Sequence, residues 1–367
     1  MKAKHRMKTR QFQIGHLTVG GDAPIRVQSM CNIETTDIDG TVNQIERLTD
    51  AGCDLVRVAV PCEKAAKCIR DIQKQIRIPL VADIAFNYRL AIEAITQGAD
   101  KIRITPSNIG TPDEVWEIVT AALEHDTAVR IGVNSGALDA DLTAKYGPHR
   151  ISEALVESAL RQLDLVTKMG LEKIVISVKA SSVKETIKAY RLLAERTDFP
   201  LHVGVTEAGT RFSGTIRSAI GIGILLSEGI GNTIRVSLSA DPVEEVRVGW
   251  EILKSLGLRS RGCTIVSCPT CGRTGIDIIR LAEEIENATV HIQEPLTIAV
   301  MGCIINGPGE AGRSDVAVVG GRGIATLYRS GHKVRKVEES EIVNAVLEQV
   351  EILKNGRSIS DQFARAT

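Results

Sequence analysis

Eight short apolar runs recur between residues 25 and 255 at roughly 25-residue spacing, with stretches of helical period between them. The runs read "PIRVQSM", "DLVRVAVP", "PLVADIAF", "KIRITPS", "AVRIGVNSG", "KIVISVKAS", "LHVGVTE" and "TIRVSLSA". Helix-period stretches such as 152–169 and 184–196 separate them. Strands joined through helices return to the same end of a sheet and so pair in parallel. Eight such units predict a closed (β/α)8, TIM-like barrel. A doubly wound sheet is the competing α/β architecture, but no glycine-rich fingerprint follows the first run.

The rhythm breaks at 256–262, "LGLRSRG", which reads as a linker. Beyond it come "TIVSCP" and "PLTIAVMG", each ending on a cysteine turn, with a helix-like stretch at 275–288 between them. "DVAVVGG", "ATLYRSG" and a helix near 339–354 follow. The expectation is a barrel domain over 1–258 and a smaller α+β domain over 259–367.

Lysine and arginine total 45 and so do aspartate and glutamate, so overall charge suggests neither a nucleic-acid nor a membrane partner. No apolar run approaches the roughly 20 residues that span a bilayer. The basic start, 1–22, lacks the apolar core of a secretory signal and is expected to lead into a hairpin. A cytoplasmic setting follows, in which the eight cysteines stay reduced. Cys53, Cys62 and Cys68 have apolar neighbours and read as small buried hydrophobes.

Barrel interiors are normally filled with Val, Ile and Leu. Here five strands carry a cation: Arg57, Arg103, Arg130, Lys179 and Arg235. A buried charge needs a partner. Internal salt bridges or stems snorkelling to the rim would explain any one of them. Only Asp83 and Glu207 stand out as carboxylates at strand ends, so cations outnumber acids. That surplus suits a small, multiply anionic substrate such as a diphosphate. Asn108, Asn134 and Ser237 in adjoining loops supply further hydrogen-bonding groups.

The second domain carries "SCPTCG" and "MGCIINGPGE". A zinc ribbon would want a second C-x-x-C or a histidine pair. A thioredoxin-type pair would open a helix and would not need Cys303. Cys268, Cys271 and Cys303 instead fit a 4Fe–4S cluster with one iron held differently. Cys263 and Glu310 compete for that iron. A strand of five residues, roughly 16 Å long, places Cys263 at the far end from the turn. Glu310 closes the glycine-rich turn that Cys303 begins, and is the preferred ligand. A carboxylate is the more easily displaced ligand, which would leave that iron open to substrate oxygen.

Taken together, "VQSM", "AGCDLVRVAVP", "RIGVNSG", "TEAGT", "SCPTCGRTG" and "GCIINGPGEA" resemble the bacterial 4-hydroxy-3-methylbut-2-enyl diphosphate synthases over nearly the whole chain. One departure is Cys31, where that family usually has Thr after "VQSM". The resemblance implies an iron–sulfur oxidoreductase of isoprenoid biosynthesis with a sulfite-reductase-like cluster domain. It would open 2-C-methyl-D-erythritol 2,4-cyclodiphosphate reductively, with loss of water. It also implies Cys268, Cys271, Cys303 and Glu310 as cluster ligands, and Arg57, Arg103, Arg130, Asn134, Lys179, Arg235 and Ser237 as substrate-holding residues. Asp83 and Glu207 would lie around the reacting ring, with Glu207 as a proton donor. Flavodoxin or ferredoxin would supply electrons to a head-to-tail homodimer. Two rival readings are a pterin- or cobalamin-type methyl-transfer barrel with an iron–sulfur module, and a non-catalytic redox carrier. Neither accounts for both the strand-borne cations and a cluster with an open iron.

Overall fold

A computed structural model describes residues 6–105 and 109–364, the side chains beyond 355 excepted, so Asn108 lies outside the described residues. The chain divides into two compact units, Met1–Arg259 and Ser260–Thr367.

The first unit opens with an antiparallel hairpin, β1 (Gln11–Ile14) and β2 (Leu17–Gly20). Eight parallel strands follow: β3 (Arg26–Met30), β4 (Leu55–Ala59), β5 (Leu80–Asp83), β6 (Lys101–Ile104), β7 (Ala128–Asn134), β8 (Ile174–Lys179), β9 (His202–Val203) and β10 (Thr233–Ile234). Pairing runs in chain order from β3 to β8, and β10 joins β9 back to β3. A parallel bridge from Ile176 to Leu201 links β8 to β9, so the ring closes.

Side chains alternate between the two faces of each strand. In β4, Val56 and Val58 face the surrounding helices, whereas Leu55 belongs to a separate inner cluster. That cluster joins Leu55, Val81, Ala128 and Val175, each first or second in its strand, to Ile14 and Val19 of the hairpin. The hairpin therefore plugs the barrel at the strands' N-terminal ends with apolar side chains. Polar chemistry is left to the opposite end, where barrel enzymes place it. Local signals start the outer helices: Asp37 caps Ile38–Asp50, Thr111 and Glu114 form a capping box on Pro112–Glu124, and Asp241 caps Pro242–Ser255.

The second unit is a five-stranded sheet in chain order: β11 (Cys263–Ser267), β12 (Leu296–Met301), β13 (Val316–Gly320), β14 (Ile324–Arg329) and β15 (His332–Glu338). The first three strands are parallel and the last three antiparallel. Helices Ile278–Thr289 and Ile342–Ala364 cover one face through Leu281, Ile285 and Val346. On the other face Ala311 of the short helix Gly307–Ala311 packs against Ala299, Met301 and Val319.

One strand goes unread in the sequence, and two local expectations need correction. Residues 332–338 form an edge strand whose only buried side chain is Val337, so the alternation that announces a strand is missing. The last helix starts at Ile342 and runs to Ala364, beyond the 339–354 expected. Cys62 is exposed, at the N-cap of Glu63–Gln73, while Cys53 is buried and Cys68 half-buried. Among the described residues no helix is long and apolar enough to cross a membrane.

Candidate functional site

The inward positions of the barrel strands turn from apolar to charged within two residues. In β4 Leu55 is followed by Arg57, in β5 Val81 by Asp83, and in β7 Ala128 by Arg130. Register places Asp83 beside Arg103 and Arg103 beside Arg130, so β5, β6 and β7 carry three charges side by side. Glycine makes the room. A carbon added at Gly132 would lie 2.7 Å from Arg103 Nε, and one at Gly204 2.9 Å from Lys179 Nζ and 2.4 Å from the Arg235 carbonyl oxygen.

Asp83 serves two cations. Arg103 Nη1 donates to its Oδ1 at 3.2 Å, and Arg57 Nε lies 3.7 Å from its Oδ2. Burial alone would raise the Asp83 carboxyl, but Arg57 and Arg103 outweigh it and hold the group below the usual carboxylate range. Arg57 also points Nε and Nη2 at the Met30 sulfur, 3.1 and 2.8 Å away. Burial pulls the Arg57 guanidinium down to about 10, against the help of Asp83.

Arg130 is 2% exposed and bonds through Nη1 to Ser177 Oγ at 2.8 Å, while its Nε and Nη2 have no hydrogen-bond partner among the described residues. Lys179 is 6% exposed and lies beside Asn134 in register. Neither cation has a carboxylate within ion-pair distance among the described residues. Burial and the neighbouring arginines push both well below their ordinary values.

Arg235, just past β10, differs from expectation. It makes a two-pronged pair with Glu245, at 3.3 Å for each prong. Glu245 comes from helix Pro242–Ser255 and also accepts from Ser29 Oγ and Leu238 N. Glu207, expected as one of two balancing acids, is exposed, makes no ion pair among the described residues and has a left-handed φ of +52°. The balancing acids are thus Asp83 and Glu245. Asn134 and Ser237 are half-buried at strand ends. Lys101 and His202, both fully buried below this layer, also escaped the sequence reading. Lys101 was visible two residues before Arg103 in "KIRI"; the helix run holding Glu245 carries no sign of a strand-end partner.

In the second unit, register pairs Ser267 with Val300, so Cys268 and Cys303 emerge at the same end of the sheet. Cys263 opens β11 at the other end, paired with Leu296. The Gly302 N–H points at Cys268 Sγ, 3.3 Å away. Cys271 is exposed, and the backbone N–H of Arg273, with help from Thr274, lowers its thiol from the ordinary value. Donors aimed at sulfur favour thiolate and suit a thiolate-bound metal group. Glu310 is half-buried on Gly307–Ala311. Among the described residues these four side chains do not close into a metal-ligating constellation of three or more.

A closed barrel with unbalanced cations at its strand ends defines an enzyme scaffold for an anionic ligand. Likeness to solved structures shows the barrel fold alone: dihydropteroate synthase of Stenotrophomonas maltophilia matches at TM-score 0.50 and 14% identity over 68% of this chain and 97% of that one. The type I 3-dehydroquinate dehydratase of Clostridium difficile matches at TM-score 0.50 and 15% identity, over 68% of this chain and 98% of that one. Within the class, the chain belongs to the GcpE family, matching its TIM-barrel domain over residues 9–250 and its C-terminal domain over 264–352. Two curated relatives are 4-hydroxy-3-methylbut-2-en-1-yl diphosphate synthases (flavodoxin). That of Symbiobacterium thermophilum is 52% identical over 94% of this chain and 93% of its own. That of Geobacter sulfurreducens is 53% identical over 94% of this chain and 97% of its own.

Proposed function

We propose that this chain catalyses the reductive opening and dehydration of 2-C-methyl-D-erythritol 2,4-cyclodiphosphate to (E)-4-hydroxy-3-methylbut-2-enyl diphosphate. The observation that carries the reading is the converging set of inward cations, only partly balanced by Asp83 and Glu245. Family membership supplies the particular substrate.

Arg130 and Lys179, without acid partners, bind the diphosphate most directly, and Arg57, Arg103 and Arg235 are pre-aimed by their carboxylates. Asn134 and Ser237 at the rim hydrogen-bond the same group. Asp83 keeps its charge and holds two guanidinium groups in place. Glu207, on the loop after β9, donates a proton as a carbon–oxygen bond breaks.

Cys268, Cys271 and Cys303 hold a 4Fe–4S cluster in this proposal, with Glu310 as the oxygen ligand. When bound, such a cluster supplies electrons singly and Lewis acidity at its exchangeable corner. The glycine-rich turns offer N–H groups to the sulfurs, as Gly302 does to Cys268. Flavodoxin as donor, a cytoplasmic setting and a head-to-tail homodimer belong to the same proposal. Turnover restored on mixing an inactive barrel variant with an inactive cysteine variant tests the dimer.

The decisive experiment is an anaerobic assay of the iron-loaded protein with reduced flavodoxin and the cyclodiphosphate. Formation of the linear diphosphate is expected. A loaded protein that binds the ring compound without converting it would refute the reading.

A further inference from the structure

Lys101 is the first residue of β6 and lies two positions before Arg103, on the same inward face. It is 0% exposed, and its Nζ donates to Gln28 Oε1 of β3 at 3.0 Å. It forms no ion pair among the described residues. Around it the layer is short of acceptors. Gln28 Nε2, and Arg130 Nε and Nη2, are buried and without hydrogen-bond partners among the described residues. With Lys101 counted, six cations stand inside the barrel against Asp83 and Glu245.

The proposed reaction changes the charge that these cations face. A cyclic diphosphate diester carries one negative charge on each phosphorus. Opening the ring breaks one carbon–oxygen bond to phosphate and leaves the electron pair on the phosphate oxygen. The terminal phosphate so made carries about 1.5 to 2 charges. In sum, a dianion takes two electrons from the reduced donor and one proton, and becomes a trianion plus water. The electrons end in the new carbon–carbon double bond.

We infer that Lys101 acts from beneath the diphosphate site to make the barrel favour an open diphosphate monoester over a diphosphate diester. It is a positioning residue for charge, acting through the layer of Arg57 and Arg130 above it. Interactions that strengthen as negative charge builds on the departing phosphate oxygen in the transition state lower the barrier to opening, whereas uniform binding does not. The inference rests on the diphosphate reading of the barrel.

The surroundings of Lys101 agree. Burial, Arg130 and Arg57 push its ammonium well down, opposed by Asp100, while the neutral amide of Gln28 faces it from β3. His202 of β9 is itself driven towards its neutral form by burial, Lys179, Arg130 and Lys101. An incoming anion reverses that balance, and an added charge on the anion reverses it further.

Two small probes test the inference on the full-length protein: P1-methyl diphosphate, a monoester, and P1,P2-dimethyl diphosphate, a diester. Titration calorimetry is expected to show the wild type holding the monoester about tenfold more tightly. Lys101→Met removes a buried amine that has no ion-pair partner among the described residues, at nearly constant volume, so its melting temperature should hold or rise while the preference falls to near unity. A merely structural lysine would lower the melting temperature and leave the preference alone. Gln28→Leu keeps the cation and removes its amide anchor, and should lower the preference by less. The inference is overturned if K101M retains the wild-type preference, if K101M fails to fold, or if Q28L loses as much. If the wild type binds neither probe nor the cyclodiphosphate, the diphosphate reading itself falls, and the inference with it.

Discussion

Arg103 hangs its guanidinium between Asp83, 3.2 Å from Nη1, and the backbone carbonyl of Gly132, 3.3 Å from Nη2. Both contacts depend on the missing side chain of Gly132, because a carbon there would stand 2.7 Å from Arg103 Nε. Gly132→Ala must therefore push the guanidinium off its two acceptors. The expected result is a folded protein destabilised by about 1–3 kcal/mol. Its kcat/KM should fall about tenfold or more, mostly through KM. Thermal melts and steady-state kinetics check both halves, and an alanine variant with unaltered KM would detach Arg103 from substrate binding.

Asp83 gives a pH signature with a definite sign. Its folded-state pKa lies below the ordinary value of 3.8, so it binds protons less readily in the folded than in the unfolded chain. The stability it contributes is fully present above about pH 4 and is lost as pH falls through the depressed value. Asp83→Asn removes that contribution at every pH. Melting temperatures of wild type and D83N should differ most at neutral pH and converge as the pH drops below about 4. A gap that widens on acidification would contradict the assigned direction.

The barrel was legible from rhythm alone, because a strand that is half core and half interior must show apolar runs whatever else it carries. The five cations were legible for the complementary reason: a charge inside such a run is conspicuous. Their counter-charges were not. Glu245 sits on a helix, ten residues after Arg235, in a stretch whose acids look like ordinary helix-surface charge. Glu207 looked like a strand-end acid, yet it is exposed and makes no ion pair among the described residues. The β15 strand was invisible because an edge facing water on both sides has no alternation to read.

Cysteine and Glu310 variants separate two roles in the second unit. Cys271→Ser or Cys303→Ser should abolish iron–sulfur absorbance and iron content after anaerobic reconstitution, because each removes one of the three thiolates proposed to hold the cluster. Glu310→Ala should retain iron and colour but lose turnover about a hundredfold or more. Iron analysis, absorption spectra and EPR of the reduced protein read these outcomes. Full activity in E310A would remove the carboxylate from the ligand set.

Glu207 is the residue whose proposed role owes most to its backbone. A φ of +52° is uncommon for a residue with a side chain, and holding one there costs on the order of 1 kcal/mol or more. It is exposed and makes no ion pair among the described residues, so no charge pairing of its side chain there offsets that strain. Glu207→Gly should therefore be folded and at least as stable as the wild type, whereas a structural carboxylate would show a loss. Glu207→Gln keeps shape and hydrogen-bonding reach but cannot ionise or pass a proton. Its affinity for the cyclodiphosphate should stay near that of the wild type while kcat falls about a hundredfold or more. Calorimetry and single-turnover kinetics with a chemical reductant separate the two quantities. A glutamine variant that turns over at the full rate would leave Glu207 with no part in proton transfer, and the donor would have to be sought among the rim groups or in solvent.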